Sequence, residues 1–386
     1  MGTPFIPGLE LAAHYHAEVV GPLLDQSFPG VPYSAALIGW GSDVLGFDSP
    51  RSTDHNWGPR LQIFLAPGDT GRAGEITELL AGRLPDTFRG WPTAFPDTTA
   101  ASAEPRHRIE VAELGSWLNG QLGFDPRRGV TLLDWLATPA QRLAEVTAGA
   151  VFHDGLDVAS GPGPGPRRGP EPGPRPGPGP RRGPDGLGGL GTVRSGLAWY
   201  PRDVWLYVLA CQWQRVSQEE AFPGRCAEAG DELGSAVVTA RLARDLMRLC
   251  LLMQRRYPPY SKWLGTAFAT LPSAATLGPV LAGATSATGW PERERQLSAA
   301  YEAVAGLHNE LAITATLGTA TRPYYERPFQ VIGAGRFTAA LRREIADPVI
   351  ARLPVTGTVD QFIDNTDAFD DMAWLRTTVA ARLGGR

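Results

Sequence analysis

Residues 38–58 read IGWGSDVLGFDSPRSTDHNWG. An apolar run turns on Gly41-Ser42. About a dozen residues later Ser52-Thr53-Asp54-His55-Asn56 leads toward a second apolar run, LQIFL at 61–65. Two familiar phosphate loops are excluded. There is no G-x-x-x-x-G-K-[ST], and Gly39, Gly41 and Gly46 miss the G-x-G-x-x-G spacing by two residues. What remains is a glycine that lets the backbone approach a phosphate, with the following amides and the Ser42 hydroxyl as donors. On a strand, Asp54 and Asn56 would face the same side, with Cα atoms about 6.6 Å apart. Such a pair suits one or two hard cations held through oxygen. The chemistry expected is a nucleoside triphosphate on the turn, Mg²⁺ on the acids and in-line attack by a hydroxyl.

Around this stretch the pattern is mixed. Helical spacing is expected over 11–24, 73–84 and 132–147, and strand character over 35–38, 61–65 and the alternating RIEVA at 108–112. This is a small sheet covered by helices. From Gly161 the chain becomes GPGPGPRRGPEPGPRPGPGPRRGPDGLGGLG, with GPRRGP at both 165 and 179. Such a tract cannot bury apolar surface and reads as a disordered or polyproline-like spacer without collagen's strict period. Its arginines suit a solvated spacer better than a nucleic-acid or lipid contact.

Beyond the tract the pattern is mostly helical. Asp203 is expected to cap a helix carrying Val204, Val208, Leu209, Trp213 and Val216. Longer helices follow over 233–256, stopped by Tyr257-Pro258-Pro259, and over 299–311. Arg241, Arg244 and Arg248 share one face, suited to a triphosphate or to a solvated surface with Asp245 beside it. Lys262, after the Pro-Pro break, is a candidate to grip the β- or γ-phosphate. The expected fold class is α+β: residues 1–155 a mixed sheet with flanking helices, 156–194 a linker, and 195–386 an all-α helical domain.

Composition narrows the function. The 386 residues are 43% hydrophobic and 20% charged, with a net charge of −4, which argues against a dedicated sequence-independent nucleic-acid binder. Cys211, Cys226 and Cys250 have no metal-ligand spacing and no even pairing, so a reducing, cytoplasmic setting is expected. The first twenty residues lack a basic and an apolar signal region. No apolar run approaches the ~20 residues of a membrane span. There is no G-x-S-x-G elbow. His153-Asp154 lacks the further ligands of a metal-dependent phosphohydrolase.

"GS", a spacer, then S-x-D-x-[D/N] before an apolar strand resembles the DNA polymerase beta-like nucleotidyltransferase superfamily. The longer wording, GSDVLGFDSPRSTDHNWGPRLQIFL with SKWLGTAF in a helical C-terminal half, resembles a branch of it of unknown function. The resemblance covers most of the chain outside the Gly/Pro tract. It implies Mg²⁺-dependent transfer of NMP from an NTP to a hydroxyl acceptor. Gly41 and Ser42 then match the phosphate-contacting turn and Asp54 the first metal carboxylate. Asn56 stands where the second carboxylate is usual, and its amide brings no charge. Glu110, on RIEVA, is the candidate third acid and base, and Asp48 a substitute for the missing charge if its loop folds back. Two rivals follow: a nucleotide-binding pseudoenzyme or sensor, motivated by Asn56, and an interaction protein whose Gly/Pro/Arg tract is the working part.

Overall fold

The computed structural model describes residues 4–54, 57–95, 105–156 and 189–384. They form two compact units: residues 1–130 with 142–198, and residues 131–141 with 199–386. No helix among the described residues is long and apolar enough to cross a membrane.

The first unit opens with α1 (Gly8–Tyr15), a π-helical turn (His16–Val20) and α2 (Gly21–Ser27), followed by β1 (Tyr33–Leu37) and a 3₁₀ turn (Pro50–Asp54). Next come β2 (Arg60–Leu65), α3 (Ala73–Arg83), the two-residue strands β3 (Thr87–Phe88), β4 (Trp91–Pro92) and β5 (Ala94–Phe95), then β6 (Arg106–Glu113) and α4 (Leu114–Leu122). The helix expected over 132–147 is two helices, α5 (Leu132–Ala137), which belongs to the second unit, and α6 (Ala140–Thr147). Pro139 holds Thr138 in extended backbone, which ends α5. Then follow β7 (Ala150–Asp154) and α7 (Leu190–Gly196).

Five strands make one sheet in the order β5-β6-β2-β1-β7. β1 is antiparallel to β2 and β7, whereas β2 and β6 run parallel. Alternation sorts β2 into two faces. Leu61, Ile63 and Leu65 join Leu11, Tyr15, Ile76 and Leu80 in a core beneath the helices. Phe64 on the other face meets Trp117 of α4, ring centroids 5.2 Å apart. Glu113 caps α4, accepting from the Gly115 and Ser116 amides, and Gly123 ends it in left-handed backbone.

The Gly/Pro/Arg tract lies almost wholly outside the described residues. Both of its flanks belong to the first unit. On the far side α7, reached before residue 194, is anchored by Arg194, whose Nη2 donates to the Thr147, Ala148 and Gly149 carbonyls.

The second unit adds α8 (Arg202–Glu219), α9 (Phe222–Glu228), α10 (Glu232–Met253), α11 (Ser261–Ala269), α12 (Ala274–Ser286), α13 (Trp290–Glu310) and α14 (Gly335–Arg343), with further helices to Gly384. It is helical but not all-α: β8 (Arg322–Pro323) and β9 (Gln330–Val331) form a small hairpin. Asp203 is not the cap of α8. Pro201 holds that position, and the Asp203 carboxylate accepts from the Ala346 and Asp347 amides instead.

Candidate functional site

The glycine-serine turn leaves the end of β1, where the antiparallel β2 and the parallel β6 both begin. Gly39 and Gly41 have φ of +83° and +136°, conformations that favour glycine. A buried ion pair holds the turn from beneath. Arg60 Nη2 lies 2.5 Å from Asp43 Oδ1, Arg60 Nε 3.2 Å from Oδ2, and Nη2 also donates to the Trp40 carbonyl at 2.8 Å. Both side chains are nearly inaccessible, at 4% and 2%. A methyl group at Gly41 would collide with Arg60 Nη2 and Asp43 Oδ1. The Ser42 carbonyl accepts from the Phe47 amide at 2.7 Å, which closes the loop above the pair. Trp40 is exposed, with the Arg60 guanidinium 4.4 Å from its ring centre.

Glu110 reaches the same neighbourhood through β2. It is the register partner of Gln62, whose Oε1 accepts from the Ile38 amide. Its own carboxylate accepts from Trp117 Nε1 at 3.0 Å. A Cβ at Gly39 would meet Trp117 Cζ2 at 3.2 Å, so one tryptophan separates the turn from Glu110.

The expected placement of Asp54 on a strand is corrected. It ends the exposed 3₁₀ turn Pro50–Asp54, and β2 starts only at Arg60. Gly58, at φ +143°, and Pro59, which has no amide donor, keep the strand from starting earlier. Asn56 and His55 lie outside the described residues, so the pairing of Asp54 with Asn56 has no described geometry. Asp48 accepts from the Gly8 amide at 2.7 Å and Trp57 Nε1 at 3.0 Å, which fixes the loop to the start of α1. Lys262 belongs to the second unit, exposed on α11 with Nζ 5.0 Å from the Trp263 ring centre. Among the described residues no three His, Cys, Asp or Glu side chains converge as a metal site.

The sequence reading passed over three residues here. Asp43 and Arg60 are polar side chains under the turn, and Arg108 is the register partner of Arg60 on β6. The available signal was Arg60 opening LQIFL: a charge entering a strand buried on both faces needs a partner.

A family model described as Domain of unknown function (DUF4037) matches residues 184–264, a stretch that excludes the glycine-serine turn. No curated protein and no solved structure matches the chain.

Proposed function

We propose that the first unit binds a nucleotide in the manner of a nucleotidyltransferase, phosphates on the Gly39–Ser42 turn. The observation that carries this is a glycine turn at the end of β1, braced by Arg60–Asp43, with Glu110 on β6 across the intervening β2. Backbone amides of such a turn receive phosphate oxygens. In the transferase form an NTP donates NMP to a hydroxyl acceptor and pyrophosphate leaves, with Asp54 and Asn56 the residues proposed for Mg²⁺ and Glu110 for the acceptor.

The described residues do not complete a cation site. Asp43 is held by Arg60, Asp48 by Gly8 and Trp57, and Glu110 by Trp117, while Asp54 stands on an exposed turn. The same fact, with Asn56 uncharged, favours a second reading, a nucleotide-binding pseudoenzyme or sensor.

Calorimetric titration with ATP, GTP, CTP and UTP, each with and without Mg²⁺, tests both. Binding of one NTP is expected, and no binding of any overturns the proposal. Strict dependence on Mg²⁺, lost in Asp54→Ala, supports the transferase. Indifference to Mg²⁺ supports the sensor. A large gain in turnover in Asn56→Asp would identify a decayed enzyme.

A further inference from the structure

Arg60 and Arg108 are register partners on the parallel strands β2 and β6. Their side chains therefore leave the same face of the sheet, on strands about 4.8 Å apart. Arg60 is neutralised by Asp43. Arg108 makes no hydrogen bond and no ion pair among the described residues, and its Nη1 is shut away from solvent without an acceptor. Its guanidinium lies over the Phe95 ring, 4.3 Å from the centre, and that ring closes against Gly58, where a Cβ would stand 2.5 Å from Phe95 Cζ. Burial and the neighbouring Arg60 charge both disfavour the charged form of Arg108. A planar, preorganised cation with an unmet donor, beside a neutralised one, is completed by an oxyanion.

We propose that Arg108 is a phosphate-binding residue of the first unit, donating to phosphate oxygens of the nucleotide whose other phosphates lie on the Gly39–Ser42 turn. This rests on the nucleotide-binding reading above. Asp43 makes the assignment selective: it engages Arg60, so the guanidinium left for a ligand is that of Arg108. Phe95 holds the guanidinium plane by a cation–π contact.

The test is titration of the full chain, as wild type, Arg108→Met and Arg108→Lys, with the four NTPs and with inorganic tripolyphosphate, at low and high salt. Circular dichroism of each variant establishes that it is folded. Arg108→Met is expected to weaken binding about ten- to a hundred-fold, the scale of a charge-assisted hydrogen bond. Arg108→Lys should recover part of the loss, and the salt dependence should be shallower in the methionine variant. NTP binding unchanged in Arg108→Met overturns the Arg108 assignment and leaves the nucleotide reading standing. Tripolyphosphate binding that needs Arg108, with no NTP bound, supports the anion seat and overturns the nucleotide reading. Binding of neither probe to wild type overturns both.

Discussion

Two sets of arginines in this molecule look alike in sequence terms and differ in structure. On α10, Arg241, Arg244 and Arg248 line one face, and each has a partner. Arg241 pairs with Glu219 at 2.6 Å, Arg244 with Asp364 at 3.1 Å, and Arg248 Nη1 donates to the Asp360 carbonyl at 2.8 Å. On the sheet, Arg60 is held by Asp43 through Nε and Nη2, while Arg108 beside it has no acid or carbonyl partner among the described residues. A guanidinium marks an anion site only where no acid or carbonyl holds it at all: Arg244 and Arg248 each keep a buried Nε without an acceptor, yet both are tied down through Nη1. On the helix the row is part of the scaffold. On the strands one guanidinium is scaffold and its neighbour is left for a ligand.

The sharpest way to break this comparison is to remove the acid that separates the two strand arginines. Asp43→Ala leaves the Arg60 charge buried without its partner, and the expected cost is about 3–5 kcal/mol. Urea unfolding followed by tryptophan fluorescence measures it. Asp43→Leu combined with Arg60→Met should recover a large part of the loss, because an apolar pair needs no compensation. Simple additivity of the two single variants would show that the pair does not act as a unit.

Gly41→Ala comes next. It forces a Cβ into a φ of +136° and onto the same ion pair. About 2–3 kcal/mol of stability should be lost, the range for strained backbone, with weaker NTP binding in the same titration. An alanine variant as stable as wild type would mean that the turn adapts and that the pair does not fix it.

A buried base in the second unit sharpens the contrast with the buried cation in the first. His308 is fully buried, and burial holds its pKa down to about 4. Trp213 Nε1 donates to its Nδ1 at 3.3 Å, so Nε2 carries the proton and faces Thr314 Oγ1 at 3.1 Å. Protonating Nδ1 would set two donors against each other. Below the unfolded pKa of about 6.5 the unfolded chain takes a proton that the folded chain refuses, so stability falls as pH falls from about 6.5 toward 4. Between pH 7 and 5 the loss should be about 2 kcal/mol at this site. The check is urea unfolding at both pH values for wild type and His308→Leu, and the variant should lose correspondingly less. Equal losses would place the titration elsewhere.

Much of the fold was legible because its elements carry strong periods. LQIFL and RIEVA became adjacent parallel strands, and 73–84 became α3. What escaped depended on backbone breaks or on distance. Gly58-Pro59 delays β2 and leaves Asp54 on a 3₁₀ turn, although alternation alone extends the strand back to it. Asp43 and Arg60 are seventeen positions apart and meet only when β1 and β2 pair, so nothing local announces them. Arg108 on an alternating strand reads as outward and solvated until Phe95 and Arg60 are seen around it. Of the candidate site, Gly41, Ser42 and Glu110 lie on the first unit and Lys262 on the second.

The smallest effect is the one that separates the two arginine sets most cleanly. Arg241 is about half exposed and its partner Glu219 is near the surface, so water and salt screen the pair. Arg241→Ala should therefore cost only about 0.5 kcal/mol, and the cost should shrink further at high salt. Arg108→Met, which removes a half-buried charge without an acid or carbonyl partner, should cost no more, because no hydrogen bond is lost and the removed desolvation penalty offsets the lost cation–π contact with Phe95. Both variants are thus nearly silent in unfolding. They part in ligand binding, where the loss belongs to Arg108. An Arg108→Met protein destabilised well beyond Arg241→Ala would mean that the strand guanidinium is scaffold as well, and the distinction between the two sets would fall.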